Sequence, residues 1–94
     1  MDDIRTHTLL TPIRRPEAEG GDITTLSFHE PDVGEMITAA KAGGGDAVIE
    51  RMAQLALSCG LDLPTFKRIK SRDLTAIMVL TGDWLGNGEA PAGS

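Results

Sequence analysis

Apolar and polar positions alternate in two stretches near the start of the chain and then change to helical spacing. Residues 4–13 (Ile-Arg-Thr-His-Thr-Leu-Leu-Thr-Pro-Ile) are rich in Ile, Leu and Thr and predict a strand. Pro12 removes a ladder donor, which places it at an edge or a strand end. Residues 22–29 (Asp-Ile-Thr-Thr-Leu-Ser-Phe-His) predict a second strand with Leu26 and Phe28 on one face. Arg14 to Gly21, with Pro16 and the Gly20-Gly21 pair, form the connecting loop. So short a connection predicts an antiparallel hairpin. A lone hairpin is marginal in water and needs other elements laid across it.

Helices supply that cover. Asp32 followed three residues later by Glu35 is an N-terminal capping pattern. Val33, Met36, Ile37 and Ala40 then recur at i, i+3, i+4 and i+7 as one apolar stripe, and Gly43-Gly44-Gly45 ends the helix. Asp46 caps a second helix carrying Ile49, Met52, Ala53, Ala56 and Leu57, stopped by Gly60. Asp62 or Leu63 before Pro64 opens a short third segment through Ile69, since proline suits the first helical position. Ser71 is read as the cap of a fourth helix with Leu74, Ile77, Met78, Thr81 and Leu85. The expected fold is α+β: one domain over 1–85, a hairpin over 4–29, three to four helices over 32–85 and a flexible tail over 86–94.

Composition narrows the function classes. A 40% hydrophobic content over 94 residues suffices for one small core and excludes a disordered polymer. A single cysteine excludes an internal disulfide framework, and with two histidines a structural zinc site is not expected. The longest apolar run, Ala76–Leu80, is far below a membrane span. The acidic start Met1-Asp2-Asp3 lacks the basic opening of a secretory signal, so a cytoplasmic protein is expected. Net charge is −5, with −3 over residues 1–30, −2 over 31–60 and 0 over 61–94. Nucleic-acid affinity draws on clustered Lys and Arg, which such a chain opposes apart from the run Lys67, Arg68, Lys70 and Arg72.

Candidate chemistry is sparse. His29, Glu30, Asp32 and Glu35 invite a metal or acid–base role, yet lack a metal-binding spacing and sit where carboxylates favour a helix N-terminus. Cys59, beside Leu57 and Leu61, reads as a buried free thiol. The Gly43–Gly45 run lacks the lysine and hydroxyl residue of a phosphate loop. Neither an enzyme nor a cofactor is expected. Residues 46–70 offer the alternative of a small helix-turn-helix DNA-binding protein, with Ala56, Gly60 and Phe66 at packing positions before the basic run. Pro64 near the start of the supposed recognition helix and the overall charge oppose it. Val79, Leu80 and Trp84 lie off the main stripe of the last helix, so that helix is either central to the core or holds a partner.

The order of motifs resembles the small tail assembly chaperones of tailed phages and prophages. The resemblance rests on Leu-Thr-Pro-Ile (10–13), the strand-to-helix segment 23–36 with Glu30-Pro31, Gly34 and Glu35, and Ala-Ala-Lys-Ala-Gly (39–43). It continues through Leu55-Ala56, Gly60-Leu61 and the Ser-x-Asp-Leu segment 71–74, covering about residues 8–80. His29 stands where the family usually has arginine, Glu35 where it usually has aspartate, and the loop 14–21 is longer than the usual tight turn. The resemblance implies a non-enzymatic chaperone that binds the helical tape measure protein and keeps it soluble until tail tube protein assembles around it. It also implies a longer form made by translational frameshifting, which a loose end after Leu85 would tolerate. Masking an amphipathic helix requires exposed apolar surface on a soluble unit. Val79, Leu80 and Trp84, with the adaptable Met36 and Met52, are the expected partner-binding residues. Self-association through an open hairpin edge is a further expectation.

Overall fold

The computed structural model describes residues 3–84. β1 (Arg5–Ile13) and β2 (Ile23–Phe28) form an antiparallel two-stranded sheet. Four α-helices follow: α1 (Val33–Gly43), α2 (Ala47–Ser58), α3 (Leu63–Phe66) and α4 (Ser71–Thr81). This is the α+β order that the sequence pattern predicts. Leu85 and the tail 86–94 lie outside the described residues. No helix among the described residues is long and apolar enough to cross a membrane.

The hairpin register runs from Arg5↔Phe28 to Thr8↔Thr25 and resumes at Ile13↔Ile23, so β1 carries a bulge between Thr8 and Ile13. Leu9 and Ile13, four residues apart on one face of the strand, reach the core at 5% and 3% exposure, while Leu10 points outward. Pro12 falls in this irregular stretch, where a missing N–H costs no ladder bond. The loop is braced rather than slack. A 3₁₀ turn spans Glu17–Glu19, Arg15 donates through its amide to Asp22 and through Nε to the Gly21 carbonyl, and Gly20 and Gly21 take φ of 105° and 79°. A side-chain-bearing residue would be strained at either glycine.

Each of the first three helices starts on an aspartate. Asp32 forms the full capping box with Glu35, Asp46 accepts from the amides of Val48 and Ile49, and Asp62 accepts from that of Thr65. The fourth departs from expectation. Ser71 is its first helical residue, and the N-cap is Lys70, which makes no side-chain capping bond. The third segment is also shorter than expected. α3 ends at Phe66, and the chain reaches Ile69 through tight bonds from Arg68 N to Thr65 O and Ile69 N to Phe66 O. One helical turn cannot fill a major groove with base-reading side chains, so the helix-turn-helix alternative finds no support in this region.

Leu9, Ile13, Ile23, Leu26 and Phe28 from the hairpin meet Leu55 and Ala56 of α2, Phe66 of α3 and Ile77 of α4 in one core. Thus α2, α3 and α4 cover the sheet. The apolar stripe of α1 does not join them: Val33, Met36 and Ile37 are 71%, 47% and 53% exposed. α1 instead packs on α2 through its small face, where Ala39 and Gly43 are buried. A Cβ on Gly43 would come within 2.9 Å of Glu50 Cβ and 3.1 Å of Glu50 N, which shows how closely the two helices approach. The short Gly43–Gly45 turn folds α1 back onto α2 at a distance that only small side chains permit, so its larger residues face outward.

Candidate interaction surfaces

The corner between β2 and α1 is tied together by polar contacts. His29 Nε2 lies 2.9 Å from both carboxylate oxygens of Glu35, and Glu35 also accepts from the Asp32 amide. At the other side of the corner the His29 amide donates to the Ser58 carbonyl, and the buried Ser58 hydroxyl donates to the His29 carbonyl. Glu30 is exposed, Pro31 partly buried, and Gly34 lies in the first turn of α1. Glu30, Pro31, Gly34 and Glu35 therefore mark a structural corner in which one carboxylate serves both a cap and a histidine. Among the described residues no group of three or more His, Cys, Asp or Glu is placed to hold a metal ion.

A second polar centre holds α4 to the hairpin. Asp73, with no exposed area, accepts from His7 Nε2 at 2.8 Å and from the amides of Leu10 and Thr11 at 2.8 and 3.1 Å. These are the amides that the β1 bulge removes from the sheet ladder, and the carboxylate takes the place of a neighbouring strand. Burial pushes the carboxyl up, but the Leu10 amide, His7 and the Thr11 amide outweigh it and hold Asp73 below the ordinary carboxylate value. The carboxylate only accepts, so His7 Nε2 carries the hydrogen. The β1 edge is thereby occupied along Leu10 and Thr11, which removes that stretch from the open edge expected for self-association.

Arg5 closes the end of α4. Its guanidinium bonds Asp83, Asp3 and the Leu80 carbonyl and lies 4.1 Å from the centre of the Trp84 ring. Bonds to Asp83 and then Asp3 hold Arg5 well above its ordinary value. Leu80 and Trp84 are partly buried against the core.

Among the clefts formed by the described residues, two are the most relevant to a partner. One, of about 530 Å³, lies between Thr11–Arg14 and the turn Lys67–Lys70 and gathers four cations. The other, of about 420 Å³, lies between α2 and α4 and is lined by Ala47, Val48, Arg51, Met52, Leu74 and Met78. Its walls are aliphatic and thioether groups, with Arg51 as the one charged side chain among them. Of the five residues singled out for partner binding, Met52 alone lines this cleft. Val79, 80% exposed, follows Met78 on α4, Leu80 and Trp84 turn toward Arg5 and the core, and Met36 belongs to the exposed face of α1. Leu74 and Met78 are partly buried against the core, as the periodicity predicts, and their outer sides form the opposite wall of the cleft. Their i, i+4 spacing places both on one side of α4 but does not show that their outer sides border a cleft.

A family model for phage tail assembly chaperone proteins, described as E, or 41 or 14, matches residues 6–85. No curated protein and no solved structure matches the chain.

Proposed function

We propose that this chain, which belongs to the phage tail assembly chaperone family, binds an amphipathic helical segment of the tape measure protein and keeps it soluble in the host cytoplasm until tail tube protein assembles around it. The observation that carries this proposal is the apolar cleft between α2 and α4. A concave strip lined by Val48, Met52, Leu74 and Met78 suits the apolar face of a helix, and two methionines let it accept side chains of different shape. Arg51 at the cleft favours a client helix with an acidic residue beside its apolar face. Met52 and Val79 belong to the client surface in this proposal, while Leu80 and Trp84, partly buried against the core, hold α4 in place behind it. The net charge of −5 keeps a unit with so much exposed apolar surface dispersed.

Calorimetric titration of overlapping tape measure segments into the purified protein tests the proposal. One helical segment should bind with an affinity that changes little between low and high salt, because hydrophobic burial is not screened. Met52→Glu or Met78→Glu should weaken it by about tenfold or more, the cost of a desolvated carboxylate. Absence of binding by every segment, or binding indifferent to both substitutions, would overturn it.

A further inference from the structure

The basic cleft and the apolar cleft belong to one continuous surface. Between them lies a smaller cleft of about 180 Å³, lined by Met52, Phe66, Lys67, Ile69 and Leu74. It shares Met52 and Leu74 with the apolar cleft, and Lys67 and Ile69 with the basic one. The same gradient runs along α4 in steps of four residues, from Met78 through Leu74 to Lys70 at the N-cap. That stretch of helix rises about 12 Å, so the apolar and basic ends lie roughly two helical turns apart.

The basic end is out of keeping with the chain's composition. Four of the nine Lys and Arg residues, Arg14, Lys67, Arg68 and Lys70, line one cleft on a molecule of net charge −5. All four are exposed, and none of the described residues lining the cleft is acidic. Lys67 and Lys70 make no ion pair or side-chain hydrogen bond among the described residues. Arg68 donates to the Arg14 carbonyl, which ties the turn to the end of β1, and Arg14 has only a long, exposed pairing with Asp22 at 3.6 Å. Like charges gathered in this way attract an anionic occupant.

We propose, on the footing of the client reading above, that the client helix carries an acidic cluster about two turns from the side chains packed at Met78, received by Arg14, Lys67, Arg68 and Lys70. The cluster fixes which way the client lies. Hydrophobic contact is non-directional, so the apolar cleft by itself accepts a helix in either direction. A basic site at one end admits only the direction that brings the acids to it. Exposed ion pairs add little affinity each and act mainly on orientation and approach. A nucleic-acid backbone fits less well, because the overall charge opposes it and the cleft continues into apolar walls instead of further basic surface.

The test takes the tape measure segment that binds, with its native flanks, and replaces the Asp and Glu of one flank or the other by Asn and Gln. Neutralising one flank should weaken binding by about tenfold at low salt and little at high salt, while neutralising the other should change nothing. The helical segment alone should keep its salt-indifferent affinity. A Lys67→Gln, Lys70→Gln variant with an unchanged circular dichroism spectrum should lose affinity for the native segment but lose no more when the acidic flank is already neutral. Binding that ignores both flanks, or an equal loss by the variant with native and neutralised segments, would overturn the proposal and leave the client reading standing. Displacement of the native segment at low salt by duplex DNA of about 20 base pairs, from wild type but not from the variant, would overturn it in favour of nucleic acid. Absence of binding by any segment would overturn both readings.

Discussion

Asp73 fastens α4 to the hairpin with a single buried carboxylate that accepts three hydrogen bonds. Asp73→Asn keeps the shape but turns one acceptor into a donor facing other donors, so the variant should lose about 1–3 kcal/mol of stability in urea unfolding. The group also ties stability to pH. Its folded value lies below the ordinary 3.8. Its contribution is therefore present above the unfolded value and is lost as pH falls through the lower folded one. The stability difference between wild type and Asp73→Asn should shrink below about pH 4. Alternation alone could not reveal this role, because the bulge that frees the Leu10 and Thr11 amides leaves no mark in the strand pattern. Cys59, read as buried, is partly buried against the core, and that burial pushes its thiol up to about 11. Alkylation at pH 8 should be far slower than that of a free thiol and should accelerate on unfolding.

Helix boundaries and helix orientation differ in what determines them. A cap is a local bond between a side chain and an amide two or three residues on, which is why Asp32, Asp46 and Asp62 mark helix starts in sequence and structure alike. Ser71 has a capping residue's chemistry but sits one position inside the helix, where its hydroxyl makes no cap. Asp46→Ala should accordingly cost about 1 kcal/mol and Ser71→Ala less than about 0.5 kcal/mol in thermal unfolding. The face of α1 that packs is set by its neighbour instead. Gly43 marks the contact, and Gly43→Ala poses opposing effects there. Helix propensity favours alanine by up to about 1 kcal/mol. The new Cβ would meet Glu50 at 2.9 Å, partly against backbone. Overpacking of that kind costs about 1–3 kcal/mol, so the variant should be destabilised despite alanine's helix preference.

The molecule as a whole places its larger hydrophobic groups in two settings. One set closes the hairpin beneath α2, α3 and α4, with Met52, Leu74 and Met78 partly buried against it at the α2–α4 cleft; the other, Val33, Met36 and Ile37 on α1, is exposed. Hydrophobic count and periodicity predicted the elements and the first set. They could not separate the second, since Val33, Met36 and Ile37 satisfy helical spacing as well as Ile77 does. In the proposed function the α2–α4 cleft shields a helix of the tape measure protein. Its most direct test is co-expression of that protein with either the wild-type chain or a Met52→Glu, Met78→Glu double variant shown to be folded, scored by the soluble fraction of the client. Wild type should raise that fraction and the double variant should leave it near the level seen without chaperone. Equal rescue by both would contradict the claim.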